Sequence, residues 1–164
     1  MRLTIGVLLT AAVCVVASAT PARAADVPFS GTVSGSVCTL VLLNGGTMVA
    51  NTGNTVISSR LPGATAGRVR VTNTSFARVS APMRLIDWDH PADDTSYSDV
   101  RAHVSAIPLT TGGVTVAERQ GNRGFNLSHE GGTSEVTVHL EGTKRRGTFS
   151  TSGPYSGVVT VLCD

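Results

Sequence analysis

Glu135-Val-Thr-Val-His-Leu-Glu141 alternates strictly, with Val136, Val138 and Leu140 on one side and Glu135, Thr137, His139 and Glu141 on the other. A period of two is the mark of a strand with one buried face, because successive side chains of extended backbone point to opposite sides. The same pattern recurs at Arg68-Val-Arg-Val-Thr72, where Val69 and Val71 share a face, and near the end, where Tyr155, Gly157, Val159, Val161 and Cys163 do. Turn signals separate these runs: Gly45-Gly46, Pro62-Gly63, Pro91, Gly112-Gly113, Gly131-Gly132 and the polar stretch Gly142 to Gly147. Strands are expected near 28–33, 36–43, 47–50, 55–58, 67–73, 77–86, 100–107, 114–118, 134–141 and 155–163. After the first 24 residues no segment keeps an apolar 3.6-residue period over three turns, and neither a repeat nor a linker interrupts the chain. Many short strands with frequent turns predict an all-β domain, an antiparallel β-sandwich or barrel.

The beginning of the chain sets the compartment. Arg2 is followed by an uncharged apolar run from Leu3 to Ala19, and Ala22-Arg-Ala24 places small residues where a leader peptidase cuts. Residues 1–24 therefore read as a signal peptide and 25–164 as the exported β domain. An uncleaved anchor helix is the alternative, against which the run is short of the roughly 20 residues a membrane span needs. A lipid on Cys14 would require a small residue at Val13. Loss of the leader removes Arg2 and Arg23 from 13 basic residues and leaves 11 against 11 acidic ones. That balance gives no reason to expect nucleic acid as a partner, or membrane insertion after cleavage.

Of three cysteines, Cys14 leaves with the leader and Cys38 and Cys163 stay. An even number in an exported chain predicts a disulfide between them, the alternative being two free thiols. The bond would close a loop on the order of 125 residues, worth up to about 5 kcal/mol in the chain-entropy description. It would tie an early strand to the last, protecting edges and ends.

Motifs for chemistry are sparse. The sequence holds no G-x-S-x-G, H-E-x-x-H, C-x-x-C or phosphate-binding loop. Ser156 in Gly153-Pro-Tyr-Ser-Gly157 is one place late for a nucleophile elbow and reads as a turn. His90, His103, His129 and His139 show no metal-ligand spacing, and His139 is expected to face solvent. Residues 87–99 carry five aspartates and read as a long loop. Asp87, Asp89, Asp93 and Asp94 are calcium candidates by chemistry, although no glycine sits where a calcium loop needs one. Lys144-Arg-Arg146 reads as a solvated hairpin tip. Asn73-Thr-Ser and Asn126-Leu-Ser fit the glycosylation pattern, which arises easily in a chain rich in serine and threonine. No cofactor is implied, no catalytic residue is assigned, and the expectation is a protein that is not an enzyme.

Phe29-Ser-Gly31-Thr-Val33 followed by Cys38 resembles the first strand of bacterial chaperone–usher pilins. Gly45 to Thr72, and the ending Gly153-Pro-Tyr155-Ser-Gly157-Val-Val-Thr-Val, are similar to the spore coat protein U-like secreted domains. The resemblance implies an immunoglobulin-like sandwich and a structural or adhesive role in a surface fibre or coat. Other surface subunits or a periplasmic chaperone would then be the partners, meeting it by strand addition. Two departures bear on that. Only Ala25 to Pro28 precede Phe29, too few for a donor strand, and the second pilin cysteine is missing from the strand of Val69 and Val71, its place taken by Cys163. A terminal or coat-like subunit, or a self-contained sandwich, fits these departures better than a polymerising pilin. The second reading is a periplasmic or secreted ligand-binding module, using the 87–99 loop or calcium.

Overall fold

A computed structural model describes residues 38–94 and 98–164. The expected signal peptide, the strand expected at 28–33 and the Phe29-x-Gly31-x-Val33 motif lie outside them. Among the described residues twelve strands run in the order β1 Cys38–Asn44, β2 Val49–Ala50, β3 Val56–Ser58, β4 Gly67–Asn73, β5 Arg78–Ser80, β6 Ile86–Asp89, β7 Ser98–Pro108, β8 Val116–Gln120, β9 Phe125–Asn126, β10 Gly132–Lys144, β11 Ser156–Val159 and β12 Leu162–Cys163. Every pairing between them is antiparallel.

The alternating stretch at 135–141 is the middle of β10, the centre of the larger sheet. One edge of β10 pairs with β7 over its length, Ser134 facing Pro108 and Lys144 facing Ser98. The other edge is shared, β4 taking Gly132–Val138 and β3 taking Glu141–Thr143. β1 lies outside β4, β2 outside β3 and β8 outside β7, giving seven strands. Inward side chains of β10, β4 and β7 (Val136, Val71 and Val104) have no exposed surface. Full burial of such a side chain contributes about 1.5–3 kcal/mol.

A second layer closes the sandwich. It is made of two short antiparallel pieces, β12–β5–β9 and β11–β6. Val79, Ala81, Phe125 and Leu127 from this side meet Val69, Val71, Val104 and Val136 in one core. The strand expected over 77–86 is broken: β5 ends at Ser80, Pro82 precedes a short 3-10 turn Met83–Leu85, and β6 begins at Ile86. Proline has no N–H for a ladder, so pairing cannot run straight through it. The opposing strand expected over 155–163 divides with it. Val159 faces Ile86 while Leu162 faces Ser80, so two residues, Thr160 and Val161, stand against five, Ala81 to Leu85, and the turn holds the excess.

Two further expectations are corrected. The loop of 87–99 is shorter than its composition suggests, since Asp87 and Asp89 lie within β6 and Asp99 within β7. Lys144 is the inward-facing end of β10, with a fully buried side chain, rather than part of a solvated tip. Of the glycine pairs, Gly112 and Gly131 pack two loops together. A Cβ on Gly112, whose φ is 84°, would stand 1.8 Å from the Gly131 carbonyl oxygen, so only glycine fits.

Candidate functional site

The expected pair Cys38–Cys163 is bonded, with its Cα atoms 6.3 Å apart. It joins the two layers, because β1 is an outer strand of the larger sheet and β12 an outer strand of the smaller one. β1 pairs with β4 on one side and β11 with β6 on one side; among the described residues their other edges carry no strand.

Between those two edges lies a groove of about 490 Å³. Leu40 and Leu42 of β1 form one wall. Gly157, Val159 and Val161 form the facing wall, and Val69, Val138 and Leu140 form the floor. The far end is bounded by Gly45–Met48 and Tyr155. The walls follow from alternation, since the face of β1 that carries Cys38 also carries Leu40 and Leu42. Gly157 lets Leu140 and the indole of Trp88 pack close against β11: a Cβ there would meet Leu140 Cδ2 at 2.5 Å and Trp88 Cε3 at 3.2 Å. An apolar trough flanked by two strand edges suits an extended backbone with apolar side chains on one face.

Tyr155 is held at the end of the groove by a buried polar cluster. Its hydroxyl donates to Asp94 Oδ2, the Lys144 ammonium donates to Asp94 Oδ1, and the Ser150 N–H donates to the Tyr155 oxygen at 2.8 Å. Lys144 also lies 5.0 Å above the Phe149 ring. Burial, and then the Asp94 hydrogen bond, push the Tyr155 hydroxyl up to about 12. The ring remains a neutral donor across the whole range in which the fold is tested.

The four aspartates named as calcium candidates go separate ways. Asp87 and Asp89 are exposed on β6. Asp93 accepts from Ser150 at 2.9 Å and Ser152 at 2.5 Å, bonds that hold its carboxyl below the usual value, Ser152 first. Asp94 is committed to Lys144 and Tyr155. Among the described residues no three His, Cys, Asp or Glu side chains come together as metal ligands would.

His139 is not free in solvent, as its alternation suggested. It lies opposite His103 on β7, on the outer face of the larger sheet. Ser59 Oγ accepts from the Leu140 N–H at 3.1 Å and stands 3.0 Å from His139 Nδ1. Arg60 bridges Glu118 at 2.5 Å and Glu141 at 3.4 Å beside the ring. Central position in a wide sheet half-buries even the outward side chains of β10, which alternation alone does not reveal. Burial first, and the Arg60 charge second, lower both histidines below their ordinary value, with Glu118 opposing at both and Glu141 opposing at His103. A histidine depressed in the fold favours the neutral state. Its contribution is complete above pH 6.5 and declines as pH falls below that. The denaturation midpoint is therefore expected to drop between pH 7 and pH 5, and to drop less in His103→Gln/His139→Gln. The lowered carboxyls of Asp93 and Asp99 withdraw their contribution only below the ordinary aspartate value of 3.8, a separate step. An unchanged midpoint over pH 7 to 5 in the native chain would contradict the assignment.

Asn73 is 2% exposed and donates to the Ser75 and Ser128 carbonyls, so it is no sugar acceptor in the folded chain. The sequence reading missed the groove and the Asp94–Lys144–Tyr155 cluster. The groove's signal was Leu40-Val-Leu-Leu43, apolar on both faces although it lies on an outer strand. Among the described residues no helix is long and apolar enough to cross a membrane. No protein-family model, no curated protein and no solved structure matches the chain.

Proposed function

We propose that this chain is an exported, non-enzymatic structural or adhesive surface protein, a coat-like or terminal subunit with an immunoglobulin-like sandwich. The observation that carries the reading is the apolar groove between the open edges of β1 and β11. Backbone groups on both rims and apolar side chains inside are the recognition chemistry of a strand rather than of a reacting substrate. The leader-like N-terminus and the pilin-like and coat-like sequence features support the same reading. The covalent tie between the layers favours a domain that keeps its shape once outside the cell.

The reading is tested by export and fractionation. The native chain is expected to be reached by antibody on intact cells and to be released by shear. Leu42→Asp puts a charge in the groove and is expected to be exported yet lost from the surface fraction. A native chain found only as a soluble periplasmic protein would overturn the reading. The volume of the groove also lies within the roughly 300–1,000 Å³ of small-molecule sites, which supports a ligand-binding module as the second reading. Native mass spectrometry of the exported protein separates the two, since a retained small apolar molecule would favour the second.

A further inference from the structure

We propose that the Lys144 and Asp94 side chains condense after folding into an isopeptide bond, a covalent tie from the end of β10 to the loop that follows β6. The proposal goes beyond the surface-protein reading and does not depend on the groove. Three observations carry it.

The first is composition. Of the 13 lysine and arginine residues, Lys144 is the one lysine. Arginine serves the ion pairs with Glu118, Glu141, Glu135 and Asp99. Arginine is also the better partner for a buried carboxylate, because its guanidinium is less strongly hydrated and grips two oxygens at once. Lysine has one property that arginine lacks: after giving up a proton it is a nucleophilic amine. The chain keeps its one side-chain amine for a place where it meets a carboxyl out of water, the Lys144 and Asp94 side chains being 0% and 3% exposed.

The second is placement. The Lys144 N–H donates to the Thr55 carbonyl at 2.9 Å, and the Asp94 N–H donates to the Pro91 carbonyl at 2.9 Å. Asp93 next door is fastened to Ser150 and Ser152. Both backbones are therefore held before any reaction. Lys144 Nζ donates directly to Asp94 Oδ1, and a nitrogen so bonded stands close to the separation of about 3–3.5 Å from which it attacks the carboxyl carbon. Groups held in this way react as if at about 10⁵–10⁸ M.

The third is polarisation. The Tyr155 hydroxyl donates to Asp94 Oδ2. Charge gathers on that oxygen when the carbon is attacked, and a fixed donor there stabilises it. Burial, and then Asp94, push the hydroxyl up to about 12, so it keeps its proton. The Phe149 ring lies 5.1 Å from Tyr155 and 5.0 Å from Nζ, and Trp88 lies 6.0 Å from Tyr155. These rings shield the pair from the water that would reverse the reaction.

The atoms balance without an oxidant or a cofactor. One proton passes from the ammonium to Oδ1 along their hydrogen bond. Exclusion of water assists this step, because burial penalises the charged pair. The amine lone pair then forms the Nζ–Cγ bond, and the carbonyl electrons move onto Oδ2 beneath the Tyr155 hydroxyl. When they return, the Cγ–Oδ1 bond breaks and Oδ1 leaves as water with a second proton from Nζ. The third proton stays on the amide nitrogen. Until the bond closes, the two groups act as the buried ion pair.

The test uses the full-length chain expressed with its own N-terminus, kept folded at pH 7 for a day and then unfolded in reductant. Its mass is expected to fall short of the sequence by one water. Trypsin is expected to pass over Lys144 and to release a branched peptide joining 85–101 to 124–145. With the one lysine acylated, an amine reagent is expected to label the unfolded chain at its α-amine alone. Lys144→Arg keeps the cation and is expected to keep its full mass. Tyr155→Phe is expected to form the same branched peptide about 10²–10³-fold more slowly, and an unchanged rate would overturn the part given to Tyr155. A native chain of full mass would overturn the proposal. So would a lost water with Lys144 still cleaved and labelled, which would place the change at an aspartate closed on its own backbone.

Discussion

Replacing Cys163 with serine is expected to lower the unfolding free energy by about 2–5 kcal/mol, one of two large stability losses foreseen for single substitutions outside the packed valine core. The bond spans 125 residues of sequence, so breaking it restores a large share of the freedom of the unfolded chain. It also has local consequences in the folded state. β12 is two residues long and held by β5, with Asp164 and Arg78 exchanging backbone hydrogen bonds of 2.7 and 2.9 Å at the very end. Such a short terminal strand frays without an anchor. β1 in turn loses its one covalent link to the second layer, so the wall formed by Leu40 and Leu42 is free to part from the wall formed by Val159 and Val161. Cys38→Ser, the double serine variant and the reduced native chain are all expected to match Cys163→Ser within a few tenths of a kcal/mol, because one bond is at stake in each. Guanidinium denaturation with and without reductant makes the measurement. An unchanged midpoint on reduction would show that the two layers hold without it.

How far the sequence led depends on whether a residue's environment was set locally. β4 was readable to its ends because Val69 and Val71 alternate with Arg68 and Arg70, and the sheet does with them what the pattern says. The cysteine pair was readable from arithmetic and compartment alone. β10 was foreseen only as far as Leu140–Glu141, although it runs on to Lys144. The two inward positions beyond Leu140 are Gly142, which lies under Trp88 and Phe149, and Lys144, whose charge is met by Asp94 fifty residues earlier. A pattern of apolar letters stops where a strand buries a glycine and an ion pair. The interruption at Pro82 was missed although a proline marks it, and its effect on the opposite strand carries no local signal, because the split at Thr160 is imposed by pairing. The groove was hidden for a related reason. It arises from the distance between β1 and β11, which no window of sequence contains.

Substitution of Lys144 by methionine is expected to cost about 3–5 kcal/mol, the range for removing one partner of a buried ion pair. The Lys144 side chain is 0% exposed and that of Asp94 is 3% exposed, so neither charge is compensated by bulk water. Methionine fills much the same space along Phe149, which makes the loss electrostatic rather than a cavity effect. The Tyr155 hydroxyl remains as a donor to Asp94, but a neutral donor does not replace a cation beside a buried carboxylate. Asp94→Leu is expected to be comparably damaging, since it removes the buried carboxylate that Lys144 and Tyr155 both donate to. The decisive comparison is the double variant Lys144→Met/Asp94→Leu. With both charges gone it is expected to recover most of either single loss, giving a coupling energy that additive effects would not produce. Losses that simply add would show that the two side chains contribute by packing alone. The cluster also reaches the groove, because Tyr155 ends the trough and starts the segment that becomes β11. The single variants are therefore expected to loosen the β11 wall before the core gives way, with faster amide exchange at Gly157 and Val159 than at Val136 or Val138 under conditions where the chain remains folded. The double variant, recovering the pairing balance but not the hydrogen bond from Tyr155, is expected to recover stability more fully than it recovers protection of that wall.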